Sequence, residues 1–184
     1  MEHPKGSGVK KNMSRKTGYI FEKEISDTLK KENMWHFKFV ETRTFEFLAT
    51  RNRAILLPRV PSDFLTIIDR RPVFLECKST RSKTGFYLSF IKDHQLLSAQ
   101  SIEDAGGIYL FLICDRSRRG RMRVFCMSQD SLECAQSLNF KLRKTLKWSI
   151  LEKTCIFMVE KKDGLYPGLT EGLKVFTYQL SNRV

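Results

Sequence analysis

Several features that would assign the chain to a membrane, an oxidising compartment or a zinc site are missing. No run approaches the about eighteen consecutive apolar residues that a bilayer-spanning helix needs. The longest, Ile108 to Cys114, has the length of a buried strand. Cysteine is sparse: Cys77, Cys114, Cys126, Cys134 and Cys155 make an odd number, with no Cys-x-x-Cys pair, and four fall in or beside apolar runs. They read as reduced core thiols. The three histidines, His3, His36 and His94, have no zinc-like spacing to one another or to cysteine. No apolar segment follows the basic N-terminus as a signal peptide would require, so a cytoplasmic, nucleoid-associated location is expected.

Acidic charge is also in short supply. Lys and Arg total 33 against 20 Asp and Glu, a formal net charge of +13. That balance favours a polyanionic partner, with nucleic acid expected and no membrane. A basic surface grips phosphate without reading sequence, so it identifies a class of partner and no particular site. At 184 residues and 41% hydrophobic content, the chain suits one core and is short for two. The expected organisation is a flexible basic tail over 1–16 and a single domain over 17–184.

The chain is organised around Pro61 to Lys78. Phe64 to Ile68 and Val73 to Cys77 are β-prone runs, and the polar residues Asp69-Arg70-Arg71-Pro72 between them predict a hairpin. Strand alternation puts Val73, Leu75 and Cys77 on one face and Phe74, Glu76 and Lys78 on the other. Asp63, at the foot of the first run, comes beside Glu76 in a tight antiparallel return. Two hard oxygen ligands with an ammonium next to them suit magnesium and a reacting phosphate. By themselves these residues equally describe a solvated sheet face.

Upstream, Phe21, Ile25 and Leu29 recur every four residues and predict a helix from Thr17 to the Lys30–Asn33 cluster. Glu22 lies at the edge of that apolar stripe and either reaches inward or stays solvated; Glu24 is expected to point well away. Phe37 to Val40 and Phe45 to Leu48 read as strands. Arg43, Arg51, Arg53 and Arg59 form the most basic surface before the hairpin, either a phosphate-gripping edge or a merely soluble one.

Downstream, Arg81 and Lys83 follow the hairpin. Thr84 to Phe90 reads as a strand, and a helix begins near Lys92 or Asp93 and stops before Gly106-Gly107. Gln95, in its first turn, either orients a phosphate or water or is simply exposed. Ile108 to Cys114 and Met122 to Met127 form a strand pair across a loop carrying Arg118 and Arg119. A short helix is expected within 130–144, a further basic cluster at Lys141, Arg143, Lys144 and Lys147, and a strand over Cys155 to Val159.

Pro61-Ser62-Asp63 and Glu76-Cys77-Lys78 resemble the motif of the PD-(D/E)XK nuclease superfamily. The longer order of features is similar to its RecU-type Holliday junction resolvases. That order comprises Ser62-Asp63-Phe64, Phe74 to Thr80, Lys83 to Phe90, His94-Gln95 and Gly106-Gly107-Ile108, with Gly18 and Phe21-Glu22 upstream and Arg143 through Trp148 more weakly downstream. It covers roughly two thirds of the chain.

The resemblance implies an α/β fold of the PD-(D/E)XK restriction-endonuclease-like kind, a mixed central sheet flanked by helices. It implies a homodimer that nicks four-way DNA junctions with Mg2+ or Mn2+. Asp63, Glu76 and the backbone carbonyl of Cys77 would bind metal, with Glu22 in support; Lys78 would orient or activate the attacking water, and Gln95 would position water or phosphate. Independently of the resemblance, their basic charge makes Arg43, Arg51, Arg53, Arg59, Arg81, Lys83, Arg118 and Arg119 the expected DNA contacts. The alternatives are a nuclease of the same fold acting on flaps, nicked or linear duplex, and a non-catalytic DNA-binding accessory protein. Two departures bear on junction selectivity: the protruding stalk of these enzymes has only Thr44 to Val60 available, and Pro61-Ser62 stands where hydroxyl residues are usual at both places.

Overall fold

The computed structural model describes residues 8–39, 60–118, 120–139 and 144–181, with side chains from Thr17 to Leu180. Among these residues the architecture is mixed α/β. A six-stranded sheet in the order β1-β2-β3-β5-β6-β8 comprises β1 (His36–Lys38), β2 (Phe64–Ile68), β3 (Arg71–Thr80), β5 (Ile108–Asp115), β6 (Arg123–Met127) and β8 (Phe157–Glu160). A second sheet pairs β4 (Gly85–Tyr87) with β7 (Thr145–Lys147). The described residues also form five α-helices: α1 (Gly8–Lys31), α2 (Asp93–Asp104), α3 (Gln129–Ser137), α4 (Trp148–Thr154) and α5 (Leu169–Ser181).

Strand alternation divides the interior into two cores. Phe64, Val73, Leu75, Leu110, Leu112, Val124 and Cys126 face α1 and α5, which contribute Phe21, Ile25, Leu29, Leu169 and Leu173. Tyr109, Phe111, Ile113, Phe125 and Met127 face the other way, onto Ala99 of α2, Leu132 of α3, Trp148 and Leu151 of α4, and Phe86 and Leu146 of the small sheet. All eight residues of β5 are buried, as a central strand covered on both faces requires.

The β2–β3 hairpin is tighter than the sequence predicts. Ile68 pairs with Arg71 and Ile67 with Pro72, leaving Asp69-Arg70 as a two-residue turn in which both residues have positive φ, 49° and 66°. This is the backbone that matches strand twist in a short hairpin. Arg71 and Pro72 therefore belong to the strand. β3 then pairs in parallel with β5, which requires the crossover through β4 and α2.

Other boundaries shift as well. The first helix begins at Gly8, so residues 8–16 of the expected tail have helical backbone, while 1–7 lie outside the described residues. Strand β1 is His36–Lys38; Val40 and the strand expected over 45–48 lie outside the described residues. The run Thr84 to Phe90 divides into β4 and a 3-10 turn, Leu88–Phe90. Gly85 explains the close approach of β4 to β7, because a Cβ there would sit 2.0 Å from the Leu146 carbonyl oxygen. α2 ends before Gly106, whose φ of 82° is the usual left-handed helix exit. The last strand is Phe157–Glu160, and the α5 helix has no counterpart in the sequence-based expectation.

Candidate active site

Unequal strand lengths create the site. β2 starts at Phe64, opposite Leu75, whereas β3 continues to Thr80, so the edge of β3 beyond Leu75 is not covered by β2. Asp63 sits at that step. Its N–H donates to the Leu75 carbonyl at 3.2 Å, and its own carbonyl accepts from the Phe39 N–H at 2.9 Å. Its Oδ2 accepts from the Cys77 N–H at 2.7 Å. In an extended strand a residue's N–H and C=O point to the same side, so the Cys77 carbonyl faces this edge too. Buried Ser62 holds the approach by donating from Oγ to the Phe64 carbonyl at 2.9 Å.

Glu76 is the most enclosed of the expected residues, with 4% of its surface exposed. Its Oε1 accepts from Lys78 Nζ at 2.6 Å and from Gln95 Nε2 at 2.6 Å. Gln95 is oriented in turn, because its Oε1 accepts from the Lys92 N–H at 3.0 Å at the start of α2. The amide thus bridges a helix start to the carboxylate. Tyr109, fully buried on β5, completes the shell: its hydroxyl lies 2.9 Å from the Pro61 carbonyl and 3.3 Å from Glu76 Oε2. One phenol ties the Pro61-Ser62-Asp63 segment to Glu76.

Electrostatics follow from the burial. Desolvation, then the charge of Glu76, pushes Asp63 up to about 7, against a lowering by the Cys77 hydrogen bond. Burial also raises Glu76, with Lys78 and Tyr109 opposing the rise. The Cys77 thiol and the Tyr109 phenol are both held well above their ordinary values, first by burial and then by the neighbouring carboxylates. Two desolvated carboxylates with one adjacent ammonium are short of positive charge. That donor chemistry, together with the Cys77 carbonyl edge, fits a hard divalent cation.

Glu22 approaches from α1. Its carboxylate pairs with Lys38 Nζ at 2.9 Å, and its charge contributes to raising both Asp63 and Glu76. Lys38 also lies over the Tyr19 ring at 5.4 Å and the Phe64 ring at 5.7 Å. Among the described residues no group of three or more His, Cys, Asp or Glu side chains is gathered closely enough to hold a metal ion. The carboxylate pair Asp63 and Glu76 is therefore the centre, with Glu22 turned to its lysine.

Glu24 departs from the expectation that it points away. It accepts from Arg116 Nη2, from Lys161 Nζ at 2.6 Å and from the Tyr166 hydroxyl at 3.1 Å, in a largely buried cluster. Thr28 Oγ1 accepts from the Tyr166 N–H, and Glu32 accepts from the N–H groups of Gly168 and Thr170. Glu24, Thr28 and Glu32, four residues apart, are thus a polar stripe that fastens the segment leading into α5 onto α1.

Arg81 and Lys83 are exposed in the loop after β3, and Arg118 is exposed in the loop after β5. Thr80 pairs with Asp115, so both loops leave the same end of the sheet, just beyond Glu76. Arg43, Arg51, Arg53, Arg59 and Arg119 lie outside the described residues, as does the region 44–59 where a stalk would be. Tyr109, Lys38 and the Glu24 cluster were not singled out from the sequence. For Tyr109 a signal existed, since a hydroxyl inside an otherwise apolar buried run needs a partner. For Lys38 and Glu24 none did, because their partners are distant in the chain.

Fold and site together define a mixed α/β protein built around a buried carboxylate pair with an adjacent lysine, beside a basic sheet end. A family model described as RecU, Recombination protein U, matches residues 11–167. The chain belongs to the RecU family and is a recombination protein. A comparison with curated proteins finds no match.

Proposed function

We propose that the protein is a metal-dependent, structure-specific endodeoxyribonuclease that nicks four-way DNA junctions, working as a homodimer on a PD-(D/E)XK-type site. The observation that carries this reading is the pairing of buried Asp63 and Glu76 across the β2–β3 step, with Lys78 Nζ 2.6 Å from Glu76, in a chain of the RecU family.

Asp63, Glu76 and the Cys77 carbonyl would hold Mg2+ or Mn2+. The ion supplies Lewis-acid stabilisation of charge developing on the phosphodiester oxygens and a lowered pKa for water. Lys78, whose Nζ donates to Glu76 Oε1, would orient the attacking water at the reacting phosphate. Gln95 and Tyr109 hold the Glu76 carboxylate by its two oxygens, which fixes its rotation before substrate arrives. Glu22 and Lys38 adjust the charge of the site from the α1 side. Arg81, Lys83 and Arg118 grip phosphates flanking the cut.

The test is cleavage of a synthetic mobile four-way junction and its matched linear duplex, with Mg2+ and with chelator, by wild type and Asp63→Asn. Metal-dependent, paired symmetric nicks confined to the junction and lost in Asp63→Asn are expected. Cleavage of both substrates would replace the resolvase reading with a broader nuclease. Absence of cleavage, or cleavage unaffected by Asp63→Asn, would overturn the assignment of the site.

A further inference from the structure

On the face of the main sheet that carries Tyr109, the small β4–β7 sheet turns Phe86 and Leu146 inward, where both are fully buried. Alternation leaves Tyr87 on the outward side. Tyr87 is 39% exposed and Phe90, in the following 3-10 turn, 38%. Their ring centroids are 5.6 Å apart at an interplanar angle of 65°, and Phe86 braces Phe90 from beneath at 5.8 Å. The turn is tied down: the Leu88 N–H donates to the Lys144 carbonyl at 3.0 Å, and Lys92 Nζ donates to the Ser89 carbonyl at 2.6 Å. Two large rings are thus held half in water by a fixed backbone, an arrangement that gains by covering them.

The surroundings indicate what covers them. Residues 79–92 contain no Asp or Glu, and Lys83, Lys92, Lys144 and Lys147 are exposed on or beside this segment. Aromatic faces interleaved with cations are the chemistry of a nucleic-acid strand whose bases are unstacked, because every nucleotide offers the π-face of its base to a ring and its backbone phosphate to a lysine. A base inside duplex DNA has both faces occupied, so these rings are matched to a base that has left the stack. Five residues beyond Phe90, Gln95 donates to Glu76, so a base held on the rings would lie at a set position relative to the carboxylates.

We propose that Tyr87 and Phe90 form a stacking subsite for one unpaired nucleobase of the DNA strand presented to the Asp63–Glu76 site. The proposal rests on the reading of the protein as DNA-binding and adds a strand-recognition element to it.

The experiment uses the full chain in chelator, so that nothing is cut. Binding is measured for a short single strand carrying 2-aminopurine and for a fully paired duplex of the same sequence. Wild type is expected to quench 2-aminopurine in the single strand. Tyr87→Ala combined with Phe90→Ala should remove the quench and weaken single-strand binding by about 5- to 100-fold, leaving duplex binding within about twofold. Tyr87→Phe with Phe90→Trp should restore wild-type binding, and Phe90→Leu, which keeps apolar volume over Phe86, should still lose the quench. Equal loss on both DNAs, or no loss on the single strand, would overturn the subsite. Because cleavage is not read, this outcome is separate from that of the endonuclease reading: a chain that stacks the strand but never cuts would retain the subsite and lose the nuclease.

Discussion

The backbone N–H of Cys77 donates to Asp63 Oδ2 at 2.7 Å, so the strand that carries Glu76 also sets the rotamer of the carboxylate facing it. The bond forms because β2 starts one residue after Asp63 and leaves that N–H without a ladder partner on β2. Burial of two acids at this step has consequences that can be measured without any substrate.

Stability should fall as pH rises through the acidic range. Asp63 is raised from 3.8 to about 7, and Glu76 is raised as well, so the folded chain binds more protons than the unfolded chain between these values. Stability from these groups is fully present below about pH 4 and is lost as pH rises to a plateau above about pH 7, by at most on the order of 4 kcal/mol for Asp63. Urea unfolding across this range should show the decline in wild type and a flatter profile in Asp63→Asn. Millimolar Mg2+ should raise the melting temperature of wild type at neutral pH more than that of the variant. Identical pH profiles would show that the carboxylate is not strained by its burial.

Tyr109→Phe removes the hydroxyl between the Pro61 carbonyl and Glu76 Oε2 without changing ring packing. The expected cost is about 1–3 kcal/mol in stability, since the Pro61 carbonyl loses its donor. Junction cleavage should fall about tenfold through loss of Glu76 positioning, with DNA binding in chelator unchanged. A variant that cuts at the wild-type rate would remove Tyr109 from the site.

Arg116→Ala breaks the ion cluster that anchors α1. Arg116 has 6% and Glu24 14% of its side chain exposed, so the loss leaves a buried carboxylate supported by Lys161 and Tyr166 alone. A cost of about 3 kcal/mol is expected in denaturant unfolding. An effect below about 0.5 kcal/mol would mean that the cluster behaves as an exposed pair.

Arg81→Ala and Lys83→Ala should each weaken DNA binding and reduce the slope of log affinity against log salt by about one. Both side chains are exposed at the sheet end beyond Glu76, so stability should be unaffected. An unchanged salt slope would place them outside the interface.

Local pattern carried much of this protein's description. The four-residue spacing of Phe21, Ile25 and Leu29 determines a helix with one apolar face, because side-chain direction in a helix follows position alone. Alternation from Val73 to Lys78 likewise determines which residues share a face, and the longer order of features around Asp63, Glu76, Lys78 and Gln95 resembles the family whose model matches the chain. What spacing does not contain is which distant strand or helix comes alongside. Only the tertiary structure decided that Glu24 is buried against Arg116 and Lys161, that Glu22 is engaged by Lys38, and that a tyrosine on β5 holds Glu76. The same holds for the rings of Tyr87 and Phe90: alternation sets Tyr87 opposite Phe86, but not which of the two faces is buried. These partners meet through pairing and burial across long stretches of chain, and the energies that choose them arise only when water has been excluded between the elements.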